Sequence, residues 1–347
     1  MRITLPRPDD WHVHFRDGDR LQSVVAATAA QFGRAIVMPN LKPPVTTTQA
    51  AVAYRDRILA ALARGGGDPS RFTPLMTLYL TDRTPPSEID AAVDSGAVFG
   101  VKLYPAGATT NSAAGVTALD RVEPVLARMA ERGLPLLVHG EVTDHHIDIF
   151  DREACFLDEV LGPLVQRHPT LKVVLEHCTT AAGVDFVRAH GPRVAATLTA
   201  HHLLATRNDM LVGGIKPHYY CLPVLKRAED RAALVAAATG DDDSFFLGTD
   251  SAPHAVQDKE SACGCAGSYT AHAALELYAE VFEDAGKLDK LADFASRRGP
   301  AFYGLPVSEE TVTLQHEEWM APARLPFGDT MVKPWRSEQP LRWRMVT

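Results

Sequence analysis

His12 and His14 stand one residue apart in the stretch DDWHVHFRD, and Arg16 follows two positions later. Alternate side chains of a β-strand share a face, so the spacing predicts His12, His14 and Arg16 on one side and Trp11, Val13 and Phe15 on the other. Two imidazoles on one face can hold a divalent metal, and a guanidinium beside them offers a planar fork to a carboxylate. The same spacing also describes the polar edge of a sheet. Further along, Asn40, Lys102, His139, His177 and Asp250 stand in or just after short apolar runs, and His254 comes four residues after Asp250. Any one of them alone is ordinarily a hydrogen-bonded rim residue.

The combination carries more weight. Four histidines, a lysine and an aspartate at equivalent strand ends predict one shared mouth and a metal centre. Neutral imidazole and carboxylate suit zinc first, then manganese, cobalt or iron. These donors exceed what one tetrahedral ion that keeps a water can use, and they suit two ions sharing a bridge. Lys102 lies inside AVFGVKLY, where a buried ammonium beside two cations would be very unfavourable. A neutral lysine amine can add carbon dioxide, and the resulting carbamate has two oxygens with which to bridge two metals.

The elements that position these groups repeat along the chain. Apolar runs at 11–15, 34–38, 72–80, 97–104, 135–139, 171–177, 193–202 and 244–250 read as strands. Alanine-rich segments at 21–32, 48–64, 118–133 and 230–240 read as helices between them. Strands apolar on both faces that alternate with helices predict a parallel sheet covered by helices. Eight such units, with no glycine-rich phosphate fingerprint after the first strand, predict an α/β fold of the (β/α)8 TIM-barrel type. Its active site would lie at the C-terminal ends of the strands. No repeat, linker or charge block divides the 347 residues, so 1–347 is expected to form a single domain. The tail from about 305 to 347 is expected to pack on the barrel exterior.

A net charge of −8 argues against nucleic acid as the main partner but leaves room for a small anionic substrate. No stretch is long and apolar enough to span a membrane, and the start lacks the apolar core of a signal peptide. Five scattered cysteines read as reduced thiols of a cytoplasmic protein. Cys263 and Cys265 lack a matching second pair, and Cys221 has no evident partner, so a metal site on these thiols is not expected.

The segments DWHVHFRDGD, MPNLKPPV, GVKLYPAGATTNS, LVHGE, LEHCTT, TAHHL, GTDSAPH and CGCAGSY together resemble the amidohydrolase superfamily, and within it the short, single-domain bacterial and fungal dihydroorotases. The resemblance runs nearly end to end. It implies reversible cyclisation of N-carbamoyl-L-aspartate to L-dihydroorotate with loss of water, the third step of pyrimidine synthesis. It implies two zinc ions, one held by His12, His14 and Asp250 and the other by His139 and His177, with carboxylated Lys102 and a hydroxide bridging them. Asp250 would also be the general base and acid. Arg16, Asn40 and His254 match the binders of the substrate carboxylate. Leu222 and Ala266 match backbone contacts to the ring, and Thr109 and Thr110 match a loop that closes over substrate. A cytoplasmic homodimer is expected on the same ground. The competing assignment is another cyclic amidase, a hydantoinase or dihydropyrimidinase. Those relatives carry a long segment ahead of the histidine pair that builds a small β-sandwich, and the eleven residues here leave no room for one.

Overall fold

The chain enters its main sheet almost at once. In the computed structural model, which describes residues 1–346, a short strand β1 (Arg2–Pro6) precedes eight parallel strands that pair in chain order. These are β2 (Asp9–Val13), β3 (Arg34–Val37), β4 (Thr73–Tyr79), β5 (Val98–Leu103), β6 (Leu136–His139), β7 (Val173–Glu176), β8 (Val194–Leu198) and β9 (Phe245–Leu247). Seven of the eight apolar runs picked out in the sequence contain one of them whole, and β2 begins two residues ahead of the first run. Closure comes from the residues after β9: Val13 bridges Ser251 in parallel, and Asp250 N donates to His12 O at 2.8 Å. The result is a (β/α)8 barrel.

Helices fill the intervals as their composition predicts. Thr48–Arg64 begins after Thr47, whose hydroxyl accepts from Ala50 N, a side-chain N-cap that satisfies an otherwise orphaned donor. The segment expected as one helix over 118–133 divides into a 3-10 turn, Leu119–Arg121, and a helix, Glu123–Arg132. Pro124 explains the division, because proline is tolerated only in a helix's first turn. Gly133, at φ 68°, ends that helix in the left-handed region, where a residue without Cβ is favoured.

Strand alternation stacks an apolar floor beneath a polar layer. Leu137 and His139 on β6, Val174 and Glu176 on β7, and Ala195 and Thr197 on β8 are successive inward positions, all buried. The lower members join Trp11, Ile36, Leu75 and Phe246 in one interior cluster. The first strand departs from the alternation predicted above. Asp10 pairs with Ala35 and Val13 with Val37, so β2 carries one residue more than its neighbour. This bulge lets two consecutive side chains face inward: Trp11 fills the floor while His12 reaches Glu176. Val13 and Phe15 belong to the other cluster, between sheet and helices.

The tail forms β10 (Thr311–Met320), β11 (Leu325–Phe327), β12 (Thr330–Val332) and β13 (Pro340–Val346). Strands β1, β10 and β13 make a separate antiparallel sheet, and β11 with β12 makes a hairpin. The few residues ahead of His12 supply one strand to this small second sheet, a pairing the sequence reading did not foresee. This sheet packs on the Ala274–Asp284 helix, where Trp343 Nε1 donates to Glu283 at 3.2 Å and Arg342 N to Glu280 at 2.7 Å.

Beneath the floor, the Arg298–Tyr303 helix closes the barrel. Tyr303 stacks on Trp11 at 4.5 Å between centroids, and a Cβ placed on Gly299 would overlap the Trp11 indole. Trp11 is fully buried and cannot step aside, so Gly299→Ala is expected to overpack the floor and cost about 1–3 kcal/mol. A thermal or denaturant unfolding midpoint equal to that of the unaltered protein would refute this.

Candidate active site

The polar layer above the floor brings the sequence-selected residues to one mouth. His12, His14, Arg16, Asn40, Thr109, Thr110, His139, His177, Leu222, Asp250 and Ala266 line one cavity of about 350 Å³, together with Tyr104. Lys102 lies in the wall behind it with no exposed surface, and His254 touches Arg16 at its rim.

Hydrogen bonding fixes the histidine tautomers. His14 Nδ1 donates to Asn40 Oδ1 at 2.8 Å, and His12 Nδ1 lies 2.7 Å from the Glu176 carboxylate. Each bond places the proton on Nδ1 and leaves the Nε2 lone pair free. His139 Nε2 meets Glu141 at 2.8 Å, which leaves Nδ1 free. Burial holds the His14 pKa down to about 4 and that of His177 well below the ordinary value, so both are neutral at physiological pH.

Three lone-pair atoms consequently face one another. His12 Nε2 and His14 Nε2 are 3.4 Å apart, and Asp250 Oδ1 lies 3.4 Å and 3.1 Å from them. Nothing in such a triangle attracts unless a cation occupies it. Its edges match a tetrahedron with bonds of about 2.0–2.1 Å, the length of zinc bonds to nitrogen and oxygen. Beside it, the His177 ring centroid lies 5.1 Å from that of His12 and 4.9 Å from that of His139. Lys102 Nζ and His177 Nδ1 are buried without hydrogen-bond partners among the described residues. Burial pulls the Lys102 ammonium pKa down to about 8, against the pull of Glu176 and Asp250. Burial works against ionising Asp250, and only protons on His12 and His14 would outweigh it and hold the carboxyl well below its usual range. The donor set fits divalent metal.

Backbone geometry aims the side chains. Arg16, His177 and Asp250 have φ of 65°, 43° and 43°, a left-handed conformation that costs residues other than glycine about 1–3 kcal/mol each. Local bonds hold each one: Tyr54 OH donates to Arg16 O at 2.6 Å, His177 N to Thr197 Oγ1 at 2.7 Å, and Asp250 N to His12 O at 2.8 Å. Arg16 is thus not on the strand face predicted for it, because β2 ends at Val13. It reaches the site from the following turn, where Nε donates to Pro253 O at 2.9 Å and Nη2 lies 2.9 Å from His254 Nε2. Across the mouth, Asn40 Nδ2 donates to Thr110 O at 3.1 Å, and Thr110 Oγ1 to Ala266 O at 3.4 Å.

Several supporting residues had no role in the sequence reading. Glu176 holds His12 and accepts from Thr197 Oγ1 at 2.6 Å. Glu141 holds His139, and Asp10 accepts from Thr249 N and Oγ1 just ahead of Asp250. Glu153 accepts from Thr179 N and Thr180 N, both at 2.9 Å, and anchors the segment after His177. The clue to Glu141 and Asp10 was their position two residues from a candidate histidine. A further buried group, His201, His202 and Cys221, offers metal-ligand types. There, His202 Nε2 and Cys221 Sγ already share Pro223 O, at 2.9 Å and 3.3 Å. Cys263 and Cys265 lie 3.8 Å apart, with Cys263 exposed.

Because Glu176 fixes the His12 ring, Glu176→Ala is expected to weaken divalent-metal binding by about 10–100-fold. Competition with a chromogenic chelator measures it, and unchanged affinity would deny Glu176 this role.

Comparison with known proteins places this geometry. A profile described as Amidohydrolase family matches residues 9–309. A dihydroorotase of Alkalilimnicola ehrlichii is 63% identical over 346 residues and is covered over 100% of both chains. Dihydroorotase of Saccharomyces cerevisiae, solved in complex with 5-fluoroorotic acid, superposes with a TM-score of 0.91 at 34% identity, over 99% of this chain and 98% of that one. An L-hydantoinase from Arthrobacter aurescens reaches a TM-score of 0.78 at 18% identity, over 99% of this chain and 82% of its own, a likeness of fold alone. The barrel, the donor set at its mouth and the end-to-end identity lead to one conclusion: the chain belongs to the amidohydrolase family, in its dihydroorotase branch.

Proposed function

We propose that the chain is a zinc-dependent dihydroorotase that interconverts N-carbamoyl-L-aspartate and L-dihydroorotate in pyrimidine synthesis. One observation carries this reading: Arg16 lines the same small cavity as the His12, His14 and Asp250 triangle. A half-buried guanidinium facing a cavity, bonded only to Pro253 O and His254, calls for an anion. The substrate α-carboxylate supplies one while the reactive amide lies over the donor cluster. A hydantoin or dihydrouracil ring lacks that carboxylate and would leave Arg16 without a counterion, which disfavours the hydantoinase alternative.

Arg16, Asn40 and His254 bind the carboxylate in this reading. Peptide groups at Leu222 and Ala266 face the ring, and the loop with Thr109 and Thr110 covers it and excludes water. As a free amine, Lys102 takes up carbon dioxide at Nζ, releases a proton and becomes an anionic carbamate. Two zinc ions, one at His12, His14 and Asp250 and one at His139 and His177, with the Lys102 carbamate between them, would supply a polarised amide carbonyl and a water that reacts near neutral pH. Asp250 holds the proton in transit. In ring opening its carboxylate takes a proton from the attacking water and delivers it to the departing amide nitrogen. In ring closure the protonated carboxyl gives it to the departing hydroxyl. Kinship with the bacterial and fungal enzymes leads us to expect a cytoplasmic homodimer as well.

The zinc-loaded protein, assayed in parallel on L-dihydroorotate, dihydrouracil and hydantoin, is expected to favour L-dihydroorotate by about a hundredfold or more. Preference for a ring without the carboxylate would overturn the assignment. Closure turns a dianion into a monoanion and consumes one proton. Lower pH therefore favours the ring, by about tenfold in the equilibrium ratio per pH unit. Product ratios at equilibrium across pH 6–8 (a range set by the assay) that do not move would exclude this reaction.

A further inference from the structure

Lys259 stands outside every role assigned so far, yet it is buried, with 2% of its surface exposed. Its ammonium makes three hydrogen bonds, all to backbone carbonyls: Tyr220 O at 2.7 Å, Cys265 O at 2.8 Å and Gly267 O at 2.9 Å. An ammonium has three N–H donors, so none is left over. Among the described residues no carboxylate forms an ion pair with it, while Arg16, His201, His218 and His254 are the basic groups it acts on or is acted on by. Burying a cation without a counterion is costly, and here the carbonyl dipoles and the Tyr220 ring, whose centroid lies 5.6 Å from Nζ, offset it.

The three carbonyls belong to two segments that both reach the cavity. Tyr220 stands two residues before Leu222, while Cys265 and Gly267 flank Ala266, and Leu222, Ala266 and Gly267 all line the site. Gly267 N also donates to Tyr220 O at 3.0 Å. Local preference does not hold the second segment in place, although Ala252 N donates to Ser268 O at 2.8 Å just beyond it. Cys265 has φ 22° and Gly267 φ 147°, both outside the region that L-residues favour. A Cβ on Gly267 would lie 2.6 Å from Ala252 O, so the segment runs hard against its neighbour. Ala266 O in turn lies 3.0 Å from His254 Nε2 and 3.4 Å from Thr110 Oγ1. Movement at 265–267 would thus reach the carboxylate side and the covering loop together.

We propose that Lys259 is a positioning residue for ring recognition, its ammonium clamping the Leu222 and Ala266 segments so that their peptide groups present one fixed edge to the substrate. This rests on the dihydroorotase reading of the site. Without the clamp the two segments sample other arrangements, and apparent affinity falls in proportion to the fraction still competent. Substrate, once bound, selects the competent arrangement, so turnover of the complex is largely retained.

Lys259→Met keeps the length of the side chain and removes its donors. It is expected to raise KM for L-dihydroorotate about tenfold or more, with kcat within about threefold and zinc content unchanged. Lys259→Gln, which keeps an amide donor, should fall between, and it carries the same measurement if the methionine variant does not accumulate folded. A role in stability alone would instead lower kcat, zinc content and melting temperature together, and that result overturns the clamp. An unchanged KM in both variants overturns it too, while the function assigned to the site stands. Failure of the unaltered zinc-loaded protein to turn over L-dihydroorotate overturns the reading of the site, and the clamp with it.

Discussion

The constraint on which the site depends is the convergence of unprotonated donors in a dry interior. His12 Nε2, His14 Nε2 and Asp250 Oδ1 approach within 3.1–3.4 Å of one another, and each imidazole nitrogen is kept free of a proton by what holds the far side of its ring. Lone pairs repel at that distance, and the side chains are largely buried. The fold holds them there regardless, so the energy of burial and barrel packing is set against a local repulsion that a cation turns into attraction. Lys102 poses the same problem with the opposite sign. Its amine is fully buried and has no hydrogen-bond partner among the described residues.

Outer residues make the convergence specific. Glu176, Asn40 and Glu141 each take one nitrogen of a histidine and so decide which nitrogen points inward. Asn40 bonds His14 through Oδ1 and the covering loop through Nδ2. One side chain therefore ties the orientation of a ligand to the position of the loop above it. The position of Thr110 and the orientation of the His14 ring are linked through that amide.

Much of this was legible in the sequence, because strand alternation and burial leave strong marks. Seven of the eight barrel strands fall inside the apolar runs and the eighth overlaps one, and the four histidines and Asp250 line one mouth, with Lys102 buried behind it. What escaped was local backbone geometry. A period of two cannot announce the bulge that sends both Trp11 and His12 inward, nor the positive φ that turns Arg16 toward His254. Glu176 and His177 are adjacent, and alternation would send them to opposite faces. The left-handed turn at His177 brings both to the same side. The strand β1 escaped for another reason: its partner, β10, lies about three hundred residues away in the chain, and pattern reading has no access to such pairings.

The left-handed residues also explain how one barrel serves two recognition tasks. A strand can present only every second residue to its interior, at about 6–7 Å intervals, which is too coarse to crowd donors around a metal and still reach a substrate carboxylate at the rim. Breaking the strand after Val13, after Glu176 and after Leu247 frees Arg16, His177 and Asp250 from that spacing. The cost of three unfavourable conformations is met by bonds from Tyr54, Thr197 and the His12 carbonyl. The regular strands supply the floor and the rigid donors. The irregular residues beyond them supply the distances that the chemistry requires, and it is there that substitutions which keep the residue type but relax the backbone would separate binding of metal from recognition of the carboxylate.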